Sequence, residues 1–244
     1  TESCTLECQE KLVPLLKHSF PGIIVRPENK ILDAKKNDFD FHLPMGSLYK
    51  NFISEISQTT KVKPFLIPIP KRVNFWRKRL NSLGKGPYIG ISWKSSDMSN
   101  NRLPNYAPLK NWQPLFLIPN VIYVNLQYKD FESDLMSIQN DFGVKVHNFD
   151  DLDHYNNLLD VAAFFSALDC VVSIRNSVPL ISAGVGTLTK LAGWKQSAWN
   201  NILHNPVGPF IKKFERDIDE PWVNIFNLIA KDILKLSKNW NYNE

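Results

Sequence analysis

Three polar clusters, each placed directly after a short apolar run, carry the residue types that can hold a phosphorylated ligand. After YIGIS comes Trp93-Lys94-Ser95-Ser96, a flexible cation beside two hydroxyls. Such a group can bind phosphate by charge and hydrogen bonds, and an ordinary polar loop would read the same way. After VIYVN comes Leu126-Gln127-Tyr128. Gln127 offers a donor and an acceptor, and Tyr128 a ring face or a hydroxyl, for a base, a ribose or a sugar. The competing reading of Gln127 is a buried amide that satisfies loop backbone. After CVVSI comes Arg175-Asn176-Ser177, with Pro179 in the first turn of the helix that starts there. Free backbone N–H groups and the positive end of a helix make a natural seat for a diphosphate. A plain N-cap would select Asn176 and Ser177 as well.

Other chemistries lack their usual support. The GxGxxG and Walker A patterns and the nucleophile elbow are absent, which speaks against dinucleotide binding, P-loop hydrolysis and serine-hydrolase chemistry. The five histidines, His18, His42, His147, His154 and His204, lie far apart, and Cys4, Cys8 and Cys170 follow no metal-ligand spacing. The reading is therefore no metal site and no single histidine marked as a base. Ser182, Ala183, Gly184 and Gly186 are small enough to let a helix approach a sheet or a ligand, and core packing explains them equally well.

Composition sets the frame for these clusters. The chain has 244 residues, 43% hydrophobic and 22% charged, which is globular and enough for one large or two small domains. Its net charge of +5 comes from scattered basic residues, with Lys35-Lys36 and Lys212-Lys213 among the short basic runs. Such a charge could serve nucleic acid, an anionic membrane surface or a pocket for phosphorylated ligands, and its scatter reads as a solvated surface rather than a nucleic-acid face. The opening TESCTLECQE lacks the features of a signal peptide, and no run is long enough to span a bilayer, so a cytoplasmic setting without membrane insertion is expected. An odd cysteine count fits a reducing compartment. The missing initiator Met and the immediate strand-like CTLEC suggest a piece of a longer protein.

The elements that must position the clusters follow from periodicity. Cys4 to Cys8 reads as a strand, Gln9 to Phe20 as a helix and Gly22 to Val25 as a strand. From Pro27 to Pro70 the pattern loosens into a connector, with short helical turns in FDFHLPMGSLYKNF and an extended KPFLIPIP whose prolines forbid a helix interior. The boundary is set there, giving residues 1–70 as a partial N-terminal lobe with connector and 71–244 as the second lobe. Arg72 to Leu83 then reads as a helix. Strands PYIGISW, VIYVNLQY, VKVHNF, CVVSI and LTKLAG alternate with helices Phe131 to Phe142, Leu158 to Leu168 and Ser177 to Val185. Such alternation predicts an α/β fold with a parallel, doubly wound sheet, whose ligands bind at the carboxyl ends of the strands. A last helix is expected to be capped by Asp219, with Pro221 in its first turn and Val223, Phe226, Ala230, Ile233 and Leu234 as its buried stripe.

The segments ECQEKLVPLLKHSFPG, FDFHLPMGSL, PFLIP, YIGISWKSS, VNLQY, LLDVAAFFSALDCVVSIRNS and AGVG together resemble, in order and spacing, the glycosyltransferase region of bacterial tetratricopeptide-repeat proteins. Those are relatives of heptosyltransferases and, more distantly, of O-linked N-acetylglucosamine transferase. The resemblance covers nearly the whole chain. It implies a GT-B fold, a C-terminal Rossmann-like lobe that binds a nucleotide-diphosphate sugar as substrate without metal or cofactor, and upstream tetratricopeptide repeats. It also implies a glycan, lipid-linked or protein acceptor. Lys94 and Ser95 would contact the donor phosphates, Gln127 would lie near the donor, and Asn176 with Ser177 would cradle the diphosphate. Two departures stand out. The family continues this turn with a histidine and an Ala-Gly-Ala run, where this sequence has Leu180, Ser182, Ala183 and Gly184. The family's N-terminal lobe also begins with a glycine-rich loop and strands that would precede Thr1. The resemblance thus also allows a catalytically inactive nucleotide-binding or protein-interaction module of the same fold.

Overall fold

The computed structural model describes residues 3–28, 39–52, 63–95, 106–195 and 208–240. Lys35, Lys36, Ser96 and His204 lie outside them. Strand β1 (Thr5–Cys8), helix α1 (Val13–Ser19) and strand β2 (Ile24–Pro27) come first, with β1 and β2 paired in parallel. The expected single helix from Gln9 is divided. A 3-10 turn covers Glu10–Leu12, and α1 begins after it with a proline in its first turn, the one helical position where a missing N–H costs nothing. Helix α2 (Met45–Phe52) lies within the connector.

Helix α3 (Pro70–Asn81) starts two residues earlier than the sequence suggests, because Pro70 occupies its first turn. There follow β3 (Tyr88–Ser92), α4 (Gln113–Phe116), β4 (Ile122–Asn125), α5 (Glu132–Phe142), β5 (Val146–His147) and α6 (Leu158–Ser166). The chain continues through β6 (Cys170–Ser173), α7 (Val178–Gly184), β7 (Thr189–Trp194), β8 (Ile211–Arg216) and α8 (Trp222–Lys238). Strands β3 to β8 form one parallel sheet in the order β5-β4-β3-β6-β7-β8. The order reverses between β3 and β6, which is where a doubly wound sheet opens a crevice for ligand.

Side chains alternate across this sheet with the period of two that strands impose. Ile89, Ile91, Tyr123, Cys170, Val172 and Ile174 face a core shared with Ile138 of α5 and with Trp222, Ile225, Phe226, Ile229 and Ile233 of α8. Tyr88, Val124 and Val171 face the opposite core, shared with Trp76 and Leu80 of α3, Leu15 of α1 and most of α6. Burial on both faces explains the near-continuous apolar runs of the central strands. The buried line of α8 departs from expectation. It begins at Trp222 and includes Ile225 and Ile229, and Pro221 rather than Asp219 occupies the N-cap.

Two polar clamps fix the helices that flank the crevice. Arg72 donates Nε and Nη2 to the two oxygens of Asp160 at 2.7 and 2.6 Å, and the fully buried Trp76 adds its indole N–H to Oδ1 at 2.9 Å. These bonds pin α3 to the first turn of α6, where Asn157 accepts from the Asp160 N–H. On α7, the Gly184 carbonyl accepts from the backbone N–H of both Phe65 and Leu66 at 2.9 Å, and a Cβ on Gly184 would stand 2.7 Å from Leu66 Cδ1. The glycine therefore lets the extended segment lie against the helix end and carry Leu66 into the core.

Candidate functional site at the carboxyl edge

The three polar clusters converge at the carboxyl ends of β3, β4 and β6, across the point of strand reversal. The buried amide of Gln127 organises the first two. Its Oε1 accepts from Ser92 Oγ, Trp93 N and Lys94 N at 3.3, 3.3 and 3.2 Å, while Nε2 donates to Lys94 O at 2.8 Å. With 1% of its surface exposed, Gln127 holds the turn leaving β3 and presents no free amide in this conformation. The backbone-satisfying role weighed from the sequence is the one these bonds perform.

Asn125, at the end of β4, locks Gln127 in turn. Its Oδ1 accepts from Gln127 N at 2.8 Å, and its Nδ2 donates to Gln127 O at 3.0 Å and to Asn148 Oδ1 at 2.8 Å. From β6, Asn176 joins the same frame. Nδ2 donates to Ser92 Oγ at 2.9 Å and to Lys94 O at 3.3 Å, and Oδ1 accepts from Val178 N at 3.0 Å and Ser173 Oγ at 3.2 Å. Asn176 thus caps the start of α7 with its side chain. Ser177 makes no side-chain cap and is exposed beside it.

Lys94 is the cation of the site, and it is already paired. Its Nζ lies 2.6 Å from Asp134 Oδ2, in the first turn of α5, and donates to Asp130 O at 2.5 Å. Trp93 Nε1 donates to the same Asp134 oxygen at 2.7 Å. Asp130 has φ of 49°, in the left-handed region that few non-glycine residues adopt, and this bend accompanies the carbonyl bonded by Lys94. Ser95 follows Lys94, half-buried, at the last described residue of this turn, so Lys94, Ser95, Gln127, Asn176 and Ser177 all lie along one edge. Leu180 is 43% exposed on α7 and offers no hydrogen bond from its side chain.

Sequence reasoning passed over Ser92, Asn125, Asp134 and Ser173. The signal for Asn125 was available, as a polar residue closing an apolar strand. Asp134 left no local signal, because its partners lie about 40 residues upstream. Among the described residues, no group of three or more His, Cys, Asp or Glu side chains could hold a metal ion, and no helix is long and apolar enough to cross a membrane. The three thiols are free, with Cys170 buried in β6 and its pKa pushed up to about 12 by desolvation. A groove of about 290 Å³ lies between α3 and the end of α6, at the amino end of the sheet. Its Arg77 is already engaged by Ala167 O and Asp169 Oδ1, which leaves the groove little to offer a charged ligand.

No protein-family model matches the chain. Over 205 residues, 78% of its length, the chain is 29% identical to Protein FlbA of Caulobacter vibrioides, and it spans 34% of that protein. It is similar to a solved glycosyl transferase family 9 structure from Veillonella parvula, with a TM-score of 0.47 and 9% identity over 71% of this chain and 52% of that one. With the ADP-heptose LPS heptosyltransferase II of E. coli the TM-score is 0.51, at 10% identity, over 70% of this chain and 53% of the enzyme. The fold is of the GT-B type. Strands β3 to β8 form the Rossmann-like lobe of that GT-B architecture, and β1, α1 and β2 are part of an N-terminal α/β lobe. The chain spans about a third of FlbA and about half of each solved structure.

Proposed function

We propose that the chain is the donor-binding part of a glycosyltransferase, which moves a sugar from a nucleotide-diphosphate donor to a glycan, lipid-linked or protein acceptor. The observation that carries this reading is the double grip on one turn: Gln127 Nε2 and Asn176 Nδ2 both donate to Lys94 O, fixing the exit of β3 at the point of strand reversal. A crevice held rigid before ligand arrives suits a charged, multi-part donor, since little ordering remains to be done on binding.

Lys94, Ser95, Asn176 and Ser177 would surround the diphosphate, with the backbone N–H groups at the start of α7 adding positive potential. Their chemical task is to neutralise charge on the departing nucleoside diphosphate as the glycosidic bond breaks. Gln127 acts by holding the β3 turn on which Lys94 and Ser95 stand. The acceptor and any general base belong to the rest of a GT-B protein, in a cytoplasmic setting and with tetratricopeptide repeats upstream.

A second reading is favoured by Leu180. Where the resembled family has an imidazole, this side chain offers no donor, as in a module that keeps the fold and the nucleotide but not turnover. Calorimetric and thermal-shift titration with UDP, GDP, ADP and CMP tests the donor site, because a ligand that binds the native state raises its melting point. One nucleotide should stabilise the chain, and the shift should vanish in Lys94→Ala and Asn176→Ala. Absence of any shift would count against the donor site, and hydrolysis of the matching nucleotide sugar by the full-length protein separates enzyme from binding module.

A further inference from the structure

Arg175, one residue before Asn176, extends over the carboxyl ends of β7 and β8. Its Nη2 donates to Glu215 Oε1 at 2.5 Å and to Trp194 O at 3.3 Å, and only 10% of the side chain is exposed. Nε and Nη1 are buried, and among the described residues neither has a hydrogen-bond acceptor. Charged N–H groups removed from water without an acceptor are costly and rare in folded proteins, so such a pair calls for a partner.

The seat of this guanidinium is built into the sheet. A Cβ on Gly193 would stand 2.7 Å from Arg175 Nε, so the bare backbone of β7 is what lets the side chain lie flat across it. A second cation lies close by. Lys213, on β8, shares the neighbourhood of Glu215, and its pKa is lowered by burial and by the charge of Arg175, with Glu215 opposing.

We propose that Arg175 is an anion hook, whose Nε and Nη1 bind an oxyanion of the ligand on the β7 side of the crevice, namely the second phosphate of a nucleoside diphosphate. This assignment rests on the donor-binding reading and adds to it a residue that distinguishes a diphosphate from a monophosphate. Glu215 is the internal partner that holds the guanidinium in place when the crevice is empty.

Paired calorimetric titrations of the 244-residue chain with UDP and UMP, GDP and GMP, ADP and AMP, CDP and CMP, and with inorganic pyrophosphate, test the hook. The wild type should prefer one diphosphate over its monophosphate by about tenfold or more, and Arg175→Ala should remove most of that preference while leaving monophosphate affinity in place. Glu215→Gln, which removes the opposing negative charge and keeps the cation, should widen the preference, so the test does not depend on the alanine variant folding well. If nucleotides bind but neither variant changes the preference, the hook is wrong and the donor site stands. If only pyrophosphate binds, the nucleotide reading falls, and the assignment of Arg175 to a nucleoside diphosphate falls with it. If nothing binds, both fall.

Discussion

Asn176 Nδ2 donates to Ser92 Oγ at 2.9 Å, and this bond crosses the point at which the sheet reverses its strand order. Ser92 in turn donates to Gln127, so three strands are joined through one hydroxyl. The crevice between β3 and β6 is thus held by side chains at its floor, in addition to the ladder below it.

Asn176→Ala removes both the bridge to β3 and the cap on Val178 N. It should lower stability by about 1–3 kcal/mol. Asn176→Asp keeps an acceptor for Val178 N but loses the donor, and should lose less. Urea unfolding of both variants checks the order, and equal losses would show that the cap contributes nothing beyond the bridge.

Gln127→Leu preserves bulk and removes every polar contact of the amide. Trp93 N, Lys94 N and Lys94 O then lose an internal partner, and stability should fall by about 3 kcal/mol. Unfolding midpoints report this directly. A loss under about 0.5 kcal/mol would mean that water replaces the amide without cost.

Lys94 can serve a phosphate only by leaving Asp134. Asp134→Asn should therefore raise affinity for the matching nucleoside diphosphate severalfold, and Lys94→Met should lower it by about tenfold. Trp93 Nε1 keeps an amide oxygen as acceptor in the first variant, so the turn itself should stay in place. Calorimetric Kd values decide, and an unchanged Kd in both variants would show that Lys94 stays a structural ion pair.

The central strands were legible in the sequence because burial on both faces makes them continuous apolar runs. Strand β8 was not, since Ile211-Lys212-Lys213-Phe214-Glu215-Arg216 is mostly charged. Its charges have partners that lie far away in sequence, Asp232 for Lys212 and Arg175 for Glu215. An edge strand of this kind carries no periodic signal. Strand β5 was foreseen as longer than the two residues that pair, because it lies at the other edge, where only Tyr123 and Val124 meet it. At the site, residue types after each strand were readable, but their use was not. Whether Gln127 faces a ligand or the backbone depends on the approach of residues 92–94, which no local pattern encodes.

His154 sets an acid limb. The residue is partly exposed as a whole, yet both ring nitrogens are buried without partners among the described residues. Burial lowers its pKa from 6.5 to about 4, with Asp153 opposing. As pH falls, the unfolded chain takes up this proton first. The stability it confers is therefore whole above pH 6.5 and is lost between 6.5 and 4, by up to about 3 kcal/mol. His147, also lowered by burial, acts in the same direction. Urea unfolding at pH 7 and pH 4.5 should show this loss, and His154→Phe should remove most of it. An equal loss in the variant would assign the limb to other groups.

The most direct test of the account is backbone hydrogen exchange of the chain with and without the nucleotide that binds it best. The account predicts added protection in residues 92–95, 126–130 and 175–178, the three turns at the carboxyl edge. Protection confined to the groove between α3 and α6 at the amino end, or none in these turns under saturating nucleotide, would contradict it.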